Sequence, residues 1–220
     1  MSQEKTMLPW PMLPWMGMVL FVLPMFLSAA CLGRSPETRL YTLGSQIRPA
    51  SAALSSDLAV LVGPARFPRY LERPQIVHRL GAGEVELDEF NRWAGSFEEN
   101  VLRALALEVE SGIDSDRVVA YPSDPPFALD YRVRIHFDEL VVGPEDVLKM
   151  RSRWAIRSGE GATEVVLGRT DLDEPLRDGS IAAVVEAHDR AIAVLGDALV
   201  DAIREIEAAR AVEASDSGRP

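Results

Sequence analysis

FALDYRVRIHFDEL spans Phe127 to Leu140. From Tyr131 it alternates. Tyr131, Val133, Ile135 and Phe137 fall on one side of an extended chain, and Arg132, Arg134, His136 and Asp138 on the other. Period two is the mark of a strand with one buried face. Pro125 and Pro126 stop a helix from running into it. Leu148 to Ile156 repeats the pattern: Leu148, Met150, Trp154 and Ile156 share one parity, and Arg151, Arg153 and Arg157 take the other. Gly143 and Pro144 turn the chain between the two strands.

Outward from this pair, Thr163 to Arg169 is predicted as the third strand of a meander, with Val165 and Leu167 facing the core. Upstream, RLYTL (Arg39 to Leu43) is predicted as a first short strand. DLAVLV (Asp57 to Val62) reads as a buried strand ended by Gly63 and Pro64. RPQIVHR (Arg73 to Arg79) reads as an edge strand beginning at Pro74, and the turn Gly81 to Gly83 leads into a hairpin return through Val85 and Leu87. A first helix opens in the stretch Trp93 to Ala106. Ser96 and Glu99 form its capping box, Phe97, Val101, Leu102, Leu105 and Val109 its apolar stripe, and Gly112 its end. Ser180 to about Ala209 is the longest element, with apolar residues every three or four positions from Ile181 to Ile206. The pattern predicts an α+β domain: an antiparallel or mixed sheet with two helices packed on one face, in a single compact unit.

The chain has 220 residues, 47% of them hydrophobic and 26% charged, which is an ordinary folding composition. Its formal net charge of −11 argues against nucleic acid as a partner. Cys31 stands alone, so neither an internal disulfide nor a cysteine-based zinc site is available. His78, His136 and His188 show no metal-ligand spacing, and no nucleophile elbow or phosphate loop is present. Asp171, Asp173 and Glu174 form an acidic cluster before Pro175 that reads as a solvated turn. No cofactor, metal or catalytic residue is predicted. An unrecognised hydrolase built on Asp171 and Asp173 is the minority alternative.

Residues 1–30 are predicted to be a targeting segment. An apolar run from Met12 to Leu27 is followed by FLSAAC, Phe26 to Cys31. The run is interrupted by Pro14, Gly17 and Pro24 and is short of the roughly 20 apolar residues of a spanning helix. Small residues before a lone cysteine resemble a bacterial lipoprotein signal, in which Cys31 is lipidated and becomes the first mature residue. The usual Leu three places before the cysteine is Ser28 here, with Leu27 one place earlier. Several acyl chains on one residue hold a protein firmly where one does not. An uncleaved transmembrane anchor and a cleaved secretory signal are the alternatives. Residue 32 is Leu, not Asp, which by resemblance to enterobacterial lipoproteins implies the outer membrane, with an inner-membrane anchor as the alternative. The organisation that follows is a signal at 1–30, a lipidated tether at 31–38, a domain at 39–209 and a disordered tail at 210–220.

Two strands whose outward residues are mostly arginine leave a basic sheet face in an acidic protein. Arg132, Arg134, Arg151, Arg153 and Arg157 are its candidate docking residues. The plain reading is a solvated face whose arginines pair with nearby carboxylates. The sharper reading is a docking surface for an acidic protein or for phospholipid headgroups.

An ordered set of motifs runs from Tyr41. Val62, Gly63 and Pro64 are followed by the pair Tyr70 and Leu71, by Arg73, Pro74, Gln75, Ile76 and Val77, and by Arg92 with Trp93 just before the first helix. This set resembles the auxiliary lipoproteins of ABC-type and MCE-type transport systems, whose best-known members belong to the paraquat-inducible system. The resemblance implies a non-catalytic domain on a lipid tether. It also implies work beside an MCE-domain protein that moves phospholipid or another hydrophobic molecule between membranes, in some cases as a homo-oligomeric ring. It gives Arg73 to Val77, Arg92 and Trp93 a structural or interface role, with Arg73 paired to a carboxylate and Trp93 packed over the helix start. A stand-alone periplasmic module with an apolar cavity between helices and sheet is the remaining alternative.

Overall fold

The computed structural model describes residues 36–44, 56–159 and 164–217. The eight strands are β1 (Arg39–Tyr41), β2 (Val60–Arg66), β3 (Gln75–Arg79), β4 (Val85–Trp93), β5 (Val118–Ala120), β6 (Tyr131–Val142), β7 (Val147–Ser158) and β8 (Glu164–Pro175). The two helices are α1 (Phe97–Ile113) and α2 (Ile181–Ser217). The predicted α+β architecture is what forms: one mixed sheet with both helices on one face.

β6 lies at the centre because its alternation buries one side completely. Tyr131, Val133 and Phe137 are buried while Arg132, Arg134, His136 and Asp138 are exposed. Along one edge β6 pairs antiparallel with β7, which pairs in turn with β8. Its other edge is divided. β2 runs parallel to Tyr131–His136 and carries β5 outside it; β3 meets β6 at Val142 and carries β4 and then β1. Between these two stretches β6 is irregular: Phe137 faces Ser152 and Glu139 faces Arg151, so Asp138 is an extra residue. Such a bulge reverses parity, and downstream of it Leu140 and Val142 join the core.

Side chains from this sheet face, α1 and α2 form one continuous apolar core. Each fully buried large side chain contributes about 1.5–3 kcal/mol. Ser96 caps α1 by accepting the backbone N–H of Glu99 at 3.0 Å, as the capping box predicts. The helices touch at two glycines. A Cβ on Gly112 would lie 2.4 Å from Val200 Cγ2, and one on Gly196 would lie 2.7 Å from Glu108 Cβ. Gly196, a weak point by helix propensity alone, is there because α1 occupies the space a side chain needs.

The structure corrects several boundaries. β2 does not stop at Gly63 and Pro64; it continues to Arg66 with a register shift between Val62 and Ala65. β3 is not an edge strand, since it lies between β4 and β6; Pro74 precedes the ladder and blocks nothing. Trp93 ends β4 rather than opening the helix. Gly112 lies inside α1, which ends at Asp114 in the left-handed conformation (φ 51°). β5 is a strand the sequence pattern did not single out, three residues being too few to show a period. β8 extends to Pro175, so Asp171, Asp173 and Glu174 lie on a strand and not in a turn. Leu167 points away from the core and is 69% exposed, whereas Thr170 is buried. α2 runs to Ser217, so the expected disordered tail is helical as far as that residue. The signal segment 1–30 and Cys31 lie outside the described residues. Among those described, no helix is long and apolar enough to cross a membrane.

Gly112→Ala places a methyl against Val200 and is expected to lower stability by about 1–3 kcal/mol, outweighing alanine's better helix propensity. Urea unfolding checks it, and an unchanged or higher midpoint refutes the close packing of the two helices.

Candidate functional site

The open side of the sheet is organised by register. Arg132 stands directly across from Arg157, which faces the register position of Glu164. In the next row Arg134 faces Ala155, and Ala155 faces Leu167. The third row crosses four strands: Arg66, His136, Arg153 and Arg169. The fourth pairs Glu139 with Arg151 and Arg151 with Asp171. Thus Arg132, Arg134, Arg151, Arg153 and Arg157 do share one face, as the alternation predicts. Between Arg134 and Leu167, small Ala155 leaves a groove of about 870 Å³, bordered by Arg66, Arg134, Arg153 and Arg169 and by Pro64 and Leu167.

Carboxylates neutralise part of this charge. Asp138 accepts from Arg153 Nε at 3.1 Å and Nη2 at 2.9 Å, and lies 3.2 Å from His136 Nε2. The hydrogen bond from Arg153 is the largest favourable cause holding the Asp138 carboxyl below the usual carboxylate range. Asp171 pairs with Arg169 at 2.7 Å, and Asp173 with Arg151. Among the described residues the side chains of Arg66, Arg132 and Arg134 have no hydrogen-bond or ion-pair partner. Exposed pairs of this kind add about 0–1 kcal/mol each. Arginines directly opposite one another subtract from stability. The face is therefore not explained by what it does for the fold.

Sequence reasoning missed Arg66, Arg169, Ala155 and Leu167 as members of this face. Arg66 belongs to the part of β2 beyond Pro64. The other signal was present: Arg169, Asp171 and Asp173 share one parity and mark the outward side of the strand.

The motif residues sit on the opposite side of the molecule's logic, in the seam between β3, β4 and α1. Ile76 and Val77 are buried, Gln75 faces Arg92 in register, and Trp93 N donates to the carbonyl of Pro74 at 2.7 Å. Trp93 packs 5.2 Å from Phe97 and 5.4 Å from His188, over the start of α1 as expected. Arg73 is exposed and pairs with no carboxylate among the described residues; Arg79 makes the pair instead, 2.7 Å from Glu139. Arg92 bends back to Glu89, whose carbonyl accepts from its Nε at 3.2 Å. His188 is buried beneath Trp93 and Phe97, its Nδ1–H donating to Val184 O at 2.8 Å. Burial pushes its pKa down to about 4, so the ring is neutral in the folded protein at neutral pH.

Among the described residues, no group of three or more His, Cys, Asp or Glu could hold a metal ion. Asp171 and Asp173, the remnant of the hydrolase alternative, are both engaged with arginines on an exposed face.

The model of the ABC-type transport auxiliary lipoprotein component matches residues 41–200. The chain belongs to this family. It is accordingly a non-catalytic auxiliary lipoprotein, and membership accords with a lipid-anchored, periplasm-facing domain at the outer membrane. No curated protein matches the chain. A crystal structure of an uncharacterized protein is similar over 76% of this chain and 99% of its own, with a TM-score of 0.62 at 10% identity. A protein from Xanthomonas campestris is similar over 74% of this chain and 93% of its own, with a TM-score of 0.61 at 16% identity. At these identities the likeness is one of fold.

The depressed pKa of His188 has a testable sign. Between about pH 6.5 and 4 the unfolded chain binds a proton that the folded one does not, so stability is whole above this window and falls as pH drops through it. The loss is on the order of 3 kcal/mol. His188→Leu is expected to flatten the slope of unfolding free energy against pH between 4 and 6.5; an unchanged slope assigns the acid sensitivity to other groups.

Proposed function

We propose that the protein is a non-enzymatic, membrane-anchored component of an intermembrane transport system that moves lipid or another hydrophobic solute, acting beside an MCE-domain partner. The family match carries this reading, because it begins ten residues after Cys31 and spans β2 to β8, all of α1 and α2 as far as residue 200. Cys31 supplies the anchor, and the leucine at position 32 favours the outer membrane. The domain then faces the periplasm.

Within this reading the two surfaces divide the work. The seam of Arg73 to Val77, Arg92 and Trp93 organises the fold, with Arg73 left outside as a contact residue. The basic face of Arg132, Arg134, Arg151, Arg153 and Arg157 is the docking surface, toward the transport partner or toward a neighbouring copy in a homo-oligomeric ring. Arginine is enriched in protein interfaces for its planar, multiply donating head. The space between helices and sheet, where a stand-alone binding module was expected to hold its ligand, is filled by one continuous apolar core.

The test is crosslinking followed by affinity purification of the full-length lipoprotein from its own envelope, with Cys31→Ala in parallel. The expected result is recovery of an MCE-domain protein, reduced when the anchor is lost. Effective crosslinking that recovers no such protein overturns the assignment. Arg132→Glu is expected to weaken the crosslink while shifting stability by no more than about 1 kcal/mol.

A further inference from the structure

The groove on the open face combines two chemistries that do not ordinarily occur together on a solvated sheet. Its border is cationic. Arg153 and Arg169 stand directly opposite each other, as do Arg132 and Arg157 one row away from the groove's Arg134. Asp138 and Asp171 offset Arg153 and Arg169. They leave Arg66 and Arg134, on β2 and β6, unoccupied among the described residues. Its floor is apolar: Ala155 lies across from Leu167, whose side chain is 69% exposed, and Pro64 closes the β2 side.

We propose that this groove binds a phosphate-headed anionic lipid, with the headgroup on Arg66 and Arg134 and the start of its acyl chains laid over Ala155, Pro64 and Leu167. A guanidinium offers a fork of donors that matches phosphate oxygens, and two such forks flank the groove. A free phosphate ion satisfies the border and leaves the floor wet; an amphiphile covers both. The size agrees, since about 870 Å³ lies within the range of small-ligand sites. Because the groove lies on an open face, it holds the headgroup and the first methylenes rather than a whole lipid. The inference takes its setting from the transport reading, but its ligand is argued from the groove alone.

The test uses the full-length lipoprotein in a nonionic detergent, titrated with phosphatidylglycerol or phosphatidylcholine and read by native mass spectrometry. One phosphatidylglycerol per chain is expected, bound at least about tenfold more tightly than phosphatidylcholine. The double variant Arg66→Gln, Arg134→Gln is expected to weaken it by about tenfold or more, and Leu167→Asn by several-fold, without a change in melting temperature. Equal retention of the two lipids, or full retention by the double variant, overturns the proposal. So does inorganic phosphate displacing the lipid at equal concentration, because the floor then contributes nothing. Should a variant melt early, a photoactivatable phosphatidylglycerol on the unaltered protein settles the question: adducts at β8 around Leu167 support it, and adducts confined to other surfaces refute it. An acidic partner protein held by the same arginines, with no phosphatidylglycerol bound, refutes the lipid site and leaves the transport reading intact.

Discussion

The sheet depends on how one edge of β6 is shared. β6 is paired along its length by β7, with only Asp138 left out of the register, but the opposite edge is filled by two strands in succession, β2 and then β3. The extra residue Asp138 falls where the first gives way to the second. It lets the core-facing set pass from odd to even positions without breaking the apolar surface. Glu139, beside it, receives Arg79 of β3 at 2.7 Å, and Arg79 also donates to Tyr70 Oη at 3.2 Å. A half-buried ion pair thus pins the junction. The same irregularity turns Asp138 outward, where it meets Arg153 and His136 on the open face.

Much of this was legible because the inward residues of β6 before the bulge, and of β7 from Leu148 to Ile156, are buried while their neighbours keep contact with solvent, so period two survives in the sequence. The capping box of α1 and the apolar stripe of α2 were legible for the same reason at period 3.6. What escaped were properties of pairing rather than of pattern. Nothing local in RPQIVHR says whether a strand lies at an edge, since that depends on which residues of β6 remain unpaired. The parity of β8 escapes the pattern because apolar Leu167 looks like core; Gly168, packed under Trp154, and Thr170, which accepts from Trp154 Nε1 at 3.0 Å, face inward instead. The five arginines were found from sequence. The groove between them was not, because it needs β2 and β8 set in register against β6 and β7.

The two faces are held by interactions of different size. The inner face is held by apolar burial, and any loss there costs several kcal/mol. The outer face is held by exposed pairs whose individual contributions are small. A face that adds little to stability is free to vary in its chemistry, and here it gathers positive charge on a chain whose net charge is −11. That separation also leaves the motif of β3 and β4 where it does most for folding: Trp93 joins the sheet, the first turn of α1 and His188 of α2 in one aromatic cluster.

The last turns of α2 are of a different kind from the rest of it. Ile206 is the final buried residue, and 208–216 are exposed throughout. Arg210 still reaches back to the sheet, lying 4.9 Å over the Tyr131 ring. A peptide of that length does not nucleate a helix in water. Here the nucleus already exists in the packed turns upstream, and Ala208, Ala209, Ala211 and Ala214 make propagation beyond it inexpensive. The helix end is therefore a solvent-exposed continuation of the packed turns before it. Fraying is expected to make its backbone amides exchange faster with each turn from Arg210 toward Ser217.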